Sequence, residues 1–179
     1  NYERKTGGKL LAIPHNGNIS NGLMFDDKTL ESGKALDRDY AERRSRWEPL
    51  YEVTQIKGDT EAHPFLSPED ELANYERWDK ASFGPEPKTK AMLHGEYARE
   101  ALKNGLAFDA KLGANPFQFG MIGSTDSHTG LASHEEVQFM GKVTPIEPNF
   151  GKMKSSPEPY VNTMRFNEVL AGRTAPKGF

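Results

Sequence analysis

The residues of this sequence best suited to chemistry lie within 119–130, where a short apolar run ends in small residues and is followed by a carboxylate and an imidazole. Asp126 and His128 stand two positions apart, and side chains at i and i+2 of an extended backbone point to the same side. The pair is therefore suited to binding one metal ion. The alternative is that Asp126 caps the next segment and His128 is a surface loop residue, since Asp-x-His is common by chance.

A second histidine follows a predicted strand near the start of the sequence. Residues 9–14 are a short apolar run, long enough for a buried strand, that Pro14 ends. His15 and Asn16 come next, at the start of a glycine-containing loop. His15 is either a metal ligand or a polar residue beside a turn-forming Asn-Gly pair, and the second strand-end histidine in the chain favours the ligand.

A third group of polar residues belongs to the predicted strand 50–56 and the loop after it. Glu52 lies in the middle of this strand, and burying a carboxylate without a partner is costly, so Glu52 is expected to face solvent, a cation or a metal site. The following loop contains Glu61 and His63. It is either a further source of ligands or an ordinary polar loop, and these two side chains are its ligand candidates.

Three helices are predicted around these strands. The first spans residues 38–47 and begins at a cap supplied by Asp37. The second covers residues 67–78, and the third covers residues 90–104 and ends at Gly105. Strands that alternate with helices are typical of a parallel sheet or barrel, but three strands are too few to close a barrel. The chain is therefore expected to be part of a larger barrel, or a partial one that another chain completes.

Beyond the third strand the sequence changes character. Residues 131–162 contain four prolines and many charged residues without a clear period, which indicates an excursion or lid. A final helix is predicted over residues 162–170. The sequence thus divides into residues 1–131, a partial barrel that carries the strand-end ligands, and residues 132–179, a lid and terminal helix of the same domain.

Composition excludes several classes of protein. The chain has 179 residues, of which 27% are charged and 35% hydrophobic, and a net charge of −3, so no nucleic-acid surface is indicated. No apolar run reaches the roughly 18 residues of a membrane span. Without cysteine, a metal ion must be held by oxygen and nitrogen, which suits manganese, zinc or iron. The start at Asn1 fits a processed product or a fragment, and an exported or periplasmic location is compatible with the composition.

Four strings in the sequence resemble an uncharacterised bacterial family, domain of unknown function 3604. That family is itself similar to the PHP (polymerase and histidinol phosphatase) metal-dependent phosphoesterases. The resemblance covers residues 9–131, and its last string is the most specific. The strings are AIPHNGNIS, YEVTQIKGDTEAHP, EYAREALKNGLAF and NPFQFGMIGSTDSHTGL.

The resemblance implies a fold and a set of ligands. PHP enzymes are distorted (β/α)7 barrels that hold two or three metal ions with histidines and carboxylates at strand ends. This chain would then be the carboxyl-proximal part of a distorted TIM-like (β/α)7 PHP-type barrel of the α/β class. Asp126 and His128 match the closing Asp-x-His pair of those enzymes, and His15 matches a mid-chain histidine. Glu61 or His63 would replace a further ligand.

One departure from the PHP pattern concerns the start of the site. PHP proteins open with a His-x-His pair, and this sequence contains no such pair. Those ligands are expected upstream of Asn1, in an amino-terminal portion that would complete the site.

The expected function is a metal-dependent hydrolase that uses divalent ions to activate water, with small-molecule phosphate esters as first-choice substrates. The alternatives are a metallohydrolase of another ester or amide, and a non-catalytic binding domain with a residual metal site. The expected roles are metal ligation by His15, Glu61, Asp126 and His128, catalysis by Glu61 and His63, and substrate contact by Asn16 and Thr129.

Overall fold

The computed structural model describes residues 2–80, 82 and 86–128. The predicted lid, the terminal helix over 162–170 and Thr129 lie outside these residues. The described part contains a sheet of three short strands with helices before and between them. The helices are α1 (Tyr2–Thr6), α2 (Arg38–Trp47) and α3 (Ala98–Leu112), the strands are β1 (Leu50–Gln55), β2 (Gly58–Asp59) and β3 (Gly120–Gly123), and two 3₁₀ helices cover Gly17–Ile19 and Lys90–Gly95.

The helix α2 forms where the sequence predicts it. The Asp37 carboxylate accepts a hydrogen bond of 2.8 Å from the Tyr40 N–H, which satisfies one of the unpaired donors at the helix start. An ion pair one turn apart, between Arg38 and Glu42 at 2.8 Å, supports the exposed side of the helix. The helix ends just before Pro49, because the residue before a proline avoids helical geometry.

The strand β1 lies at the centre of the sheet. It pairs antiparallel with β2 and parallel with β3, so that Leu50 lies opposite Gly120. A parallel pair needs a long crossover connection, and α3 lies within the crossover here. The register shifts between Glu52 and Thr54, which marks an irregularity next to the carboxyl end of the strand.

The predicted strand over residues 9–14 does not form. Among the described residues, two backbone–backbone hydrogen bonds join this segment to its neighbours, from the Ala12 N–H to the Trp47 carbonyl and from the Glu52 N–H to the Pro14 carbonyl. Pro14 has no N–H to extend the ladder, and Leu10 and Leu11 are exposed. The segment lies beside β1 without forming the buried strand that its apolar residues predict.

The prediction of a helix over residues 67–78 is also wrong. The chain there makes successive turns, and the Asp59 N–H of β2 donates to the Glu76 carbonyl at 2.9 Å. Glu76 has a φ of 47°, outside the helical region, and Trp78 is buried. Pairing with β2 and burial of the indole therefore outweigh the helix-start signal at Ser67.

The third predicted helix is displaced along the chain. Residues 90–95 form a 3₁₀ turn, and α3 extends to Leu112, where Gly113 ends it with a φ of 69°. Gly105 lies inside α3, not at its end. A Cβ at Gly105 would stand 2.3 Å from Asn115 Oδ1, so glycine serves close packing at this position.

The hydrophobic core lies between the sheet and the helices. Phe25 is its central ring, with edge-to-face contacts to Tyr51 at 5.0 Å and to Phe117 at 5.4 Å between centroids. The Arg44 guanidinium lies 4.9 Å from the Phe117 ring. The buried members of this core are Phe25, Leu36, Tyr51, Ala98, Ala101 and Phe117.

Candidate functional site

Three segments meet at the carboxyl end of the parallel strands. The loop after Pro14 is tied to the turn after β1, because the Asn18 side-chain amide donates to the Lys57 carbonyl at 2.9 Å. That turn is tied in turn to the segment after β3 by an ion pair between Lys57 and Asp126. The carboxyl ends of the strands are where parallel α/β sheets hold their functional groups. The edge cluster, as we call it, comprises Glu52, Lys57, Ser124, Asp126 and His128.

Asp126 and His128 contact each other, although not through the extended backbone that the sequence predicts. His128 Nε2 lies 2.9 Å from Asp126 Oδ1. Asp126 has a φ of 56°, a left-handed conformation that is uncommon for residues other than glycine. The backbone therefore bends between the two residues. The Asp126 side chain is 13% exposed and that of His128 is 60% exposed, so the pair lies at the surface with its imidazole outermost.

Lys57 is a member of the cluster that the sequence analysis did not single out. Its Nζ donates to Asp126 Oδ2, and its side chain is only 12% exposed. A lysine is not a usual metal ligand, so a search for ligand types in the loop after β1 passes over it. The signal that was available is its place, two residues beyond a strand end.

Glu52 joins the cluster through the third segment. Ser124 Oγ donates to Glu52 Oε1, and the Gln55 amide donates to Glu52 Oε2 at 3.3 Å. The carboxylate is therefore half-buried against the end of β3 with hydrogen-bond donors on both oxygens. This satisfies the polar group that the sequence places in the middle of a strand.

His15 and Asn16 lie at the start of the loop that contacts the Lys57 turn. His15 is exposed, and its Nδ1 lies 3.1 Å from the Ile13 carbonyl. A bond of this kind fixes the tautomer that leaves Nε2 with its lone pair, a usual arrangement for a metal-binding histidine. Asn16 has a φ of 58°, and its buried Oδ1 has no hydrogen-bond partner among the described residues.

Glu61 and His63 belong to other networks. Glu61 Oε1 accepts two hydrogen bonds from the Arg99 guanidinium, at 2.8 and 3.0 Å. His63 is buried, its Nδ1 accepts from the Phe65 N–H at 3.0 Å, and its Nε2 lies 2.8 Å from Asp79 Oδ2. Both ring nitrogens of His63 are thus engaged within the protein. The metal and catalytic roles predicted for these two residues stay predictions, to which this geometry adds no support.

Contacts and burial around His63 shift the pKa values of two neighbouring side chains, Asp79 and Tyr97. The hydrogen bond between His63 and Asp79 is the main cause that holds the pKa of that carboxyl below its usual value. The Tyr97 ring lies 5.1 Å from the His63 ring, and burial raises the pKa of the Tyr97 hydroxyl. This hydroxyl is buried and makes no hydrogen bond within the described part of the chain. The network fixes the loop after β2 against the start of α3.

Among residues 2–80, 82 and 86–128, no three histidine, aspartate or glutamate side chains come together as a metal-binding group. What the edge cluster does offer is an oxygen and a nitrogen donor side by side, and a carboxylate that already holds a cation, the Lys57 ammonium. These donors fit a divalent transition metal. Thr129, the predicted substrate contact, lies just past the described residues.

A family model described as a protein of unknown function, DUF3604, matches residues 1–175. The chain belongs to the DUF3604 family. The match includes every residue of the edge cluster and extends beyond the part of the sequence where the resemblance was recognised. Searches of curated proteins and of solved structures find no match to this DUF3604 protein. In its described residues, no helix has the length and apolar character needed to cross a membrane.

Proposed function

We propose that this protein is a metal-dependent hydrolase whose first-choice substrates are small-molecule phosphate esters, and that the edge cluster holds part of its site. The observation that carries the proposal is the Asp126–His128 pair at the carboxyl end of a parallel strand. Its carboxylate is mostly shielded from water, while the adjacent imidazole is open to it. Such a pair presents adjacent oxygen and nitrogen donors to a ligand from solvent.

The proposed fold is a carboxyl-proximal part of a distorted (β/α)7 barrel like that of PHP enzymes. The parallel β1–β3 pair with a helical crossover supports it. The strand β3 is exposed, and among the described strands it forms one edge of the sheet. In the proposed fold, further strands of the barrel would continue the sheet beyond this edge.

Asp126 and His128 would hold the metal ion, with manganese, zinc or iron all compatible. His15 would have to move toward this pair to become a third ligand, because the three side chains do not form one metal-binding group among the described residues. When bound, a divalent ion supplies a Lewis acid and lowers the pKa of a water molecule. The protein orients its donors for this task. The bend at Asp126 brings its carboxylate against His128, and the contact of His15 with the Ile13 carbonyl selects the ring tautomer.

A second function is favoured by one observation. Both oxygens of Asp126 have cationic or histidine partners within the protein, as they would in a purely structural cluster. The protein would then be a non-catalytic binding domain with a residual metal site. A metallohydrolase acting on another ester or on an amide is the alternative within the enzyme class.

The test is metal analysis of natively purified protein by plasma mass spectrometry. We expect at least one equivalent of a transition metal in the parent and its loss in the Asp126→Ala, His128→Ala double variant. A matched control, Asp109→Ala with His94→Ala, removes the same side-chain types from exposed positions and should keep the metal. A parent without metal would contradict the proposal. A metal-loaded parent is then assayed on phosphate ester, carboxylic ester and amide substrates to choose between the enzyme classes.

A further inference from the structure

The pairing of Lys57 with Asp126 has a consequence for the proposed site. The ion pair lies at the carboxyl ends of β1 and β3, yet only 12% of the Lys57 side chain and 13% of the Asp126 side chain are exposed. Asp126 Oδ2 takes the ammonium, while Oδ1 lies against His128. The carboxylate that the proposed function assigns to a metal ion therefore already has a cation on one oxygen and its imidazole partner on the other.

An ammonium and a divalent ion that bind the two oxygens of one carboxylate lie close together and repel each other strongly. We propose that Lys57 is a built-in substitute cation: it holds Asp126 while no metal ion is bound, gives up this carboxylate when one binds, and then contacts the anionic phosphate of the substrate. The inference rests on the proposed function. It makes metal and anion binding cooperative, because Lys57 serves the anion only after it leaves Asp126.

The backbone of Lys57 is fixed, so only its side chain has to move. The Lys57 carbonyl accepts from the Asn18 amide at 2.9 Å, and the Lys57 N–H donates to the Gln55 side chain at 3.0 Å. The four-carbon side chain of a lysine is flexible and ends in a compact charge. A swing of the ammonium therefore leaves the turn after β1, and the loop of His15 that it supports, in place.

Phosphate is the anion that this arrangement suits. A lysine binds phosphate as a point charge, without the fixed geometry that arginine requires. The exposed imidazole of His128 shows that the cluster is reached from solvent. An anion that arrives at this edge thus meets Lys57 next to the metal ligands.

The first experiment measures Mn²⁺ binding by calorimetry at one pH for the parent and for Lys57→Met. Removing the competing cation should tighten Mn²⁺ binding by about tenfold or more, in line with coupling energies of close charge pairs. Lys57→Arg, which keeps the charge, should bind as the parent does. Lys103→Met is the matched control, because Lys103 is 70% exposed on α3 and pairs with Glu100, and the Mn²⁺ affinity of this variant should be unchanged.

The second experiment titrates inorganic phosphate into the same proteins at saturating Mn²⁺. The parent should bind phosphate more tightly with Mn²⁺ than without it, and Lys57→Met should lose about tenfold or more of that affinity. Equal Mn²⁺ affinity of the parent and Lys57→Met would overturn the role of Lys57 and leave the proposed function standing. A parent that binds no Mn²⁺, zinc or iron would overturn both.

A third measurement needs no substitution and covers the case in which Lys57→Met does not fold. The parent is treated with an amine-acylating reagent with and without Mn²⁺, and modified lysines are quantified by mass spectrometry. Acylation of Lys57 should rise severalfold with Mn²⁺, while Lys88, held by Glu96, serves as the internal reference and should not change. Acylation of Lys57 that is the same with and without Mn²⁺ would overturn the inference.

Discussion

The described part of the chain contains two histidine–aspartate pairs with nearly equal nitrogen–oxygen distances in very different surroundings. His63 and Asp79 lie 2.8 Å apart, and His128 and Asp126 lie 2.9 Å apart. The His63 side chain is 7% exposed and both of its ring nitrogens are engaged, whereas the His128 side chain is 60% exposed. The same two residue types therefore fix a loop in one place and hold an imidazole in solvent in the other.

Two lysine–carboxylate pairs differ in a similar way. The Lys88 ammonium contacts both oxygens of Glu96, at 2.7 and 2.8 Å, and the Asn18 carbonyl, which uses all three of its donors. Glu96 is fully buried, and burial raises the pKa of its carboxyl. Lys57 and Asp126 lie beside an exposed imidazole instead. The buried networks hold the loops, whereas the edge cluster has an imidazole that a ligand can reach from solvent.

The largest effect on stability is expected at the buried lysine. Lys88→Met leaves the Glu96 carboxylate buried without its counter-charge and should lower the free energy of unfolding by about 3–5 kcal/mol. Urea unfolding measures this loss. Lys88→Met combined with Glu96→Gln should recover part of it, because no charge is then left buried. Lys103→Met, at an exposed position, should change the free energy of unfolding by no more than about 0.5 kcal/mol. An equally small loss in Lys88→Met would contradict a structural role for the Lys88–Glu96 pair.

The two histidines give the next contrast. His63→Ala removes a buried ring and leaves Asp79 without its donor, so we expect a loss of about 2–4 kcal/mol in the free energy of unfolding. His128→Ala should change it by no more than about 0.5 kcal/mol, as at other exposed positions. Thermal and urea unfolding of both variants test the pair. Equal losses would contradict the division into a structural and a ligand-accessible pair.

The smallest expected effect is on the acid dependence of stability. His63 holds the pKa of Asp79 below the value of about 3.9 that aspartate has in an unfolded chain. The unfolded state therefore takes up the proton first, and the contribution of Asp79 is present above that value and is lost as the pH falls through the folded pKa. Asp79→Asn should show a shallower loss of stability on acidification than the parent. Identical slopes in urea unfolding across this range would contradict the assignment.

Local signals predicted the elements whose residues decide their own conformation. The helix α2 carries its cap, its ion pairs and its stop within residues 37–49, and it forms as predicted. The strand β1 is also found where its alternating residues place it. At residues 67–78 the local signal is equally clear, but a hydrogen bond to β2 and the burial of Trp78 outweigh it. Such contacts join residues far apart in sequence and cannot be read from a local pattern.

The same division holds for the candidate site. The order of residues along the chain shows that Asp126, His128 and His15 follow apolar segments, and that any metal ligands are oxygen and nitrogen. Which polar residues join them depends on how distant segments fold together. In the fold, Glu61 pairs with Arg99, and His63 pairs with Asp79. Lys57 contacts Asp126, which lies 69 positions further along the sequence. The type and spacing of residues follow from the chain, whereas the partner of each charge depends on how distant segments pack.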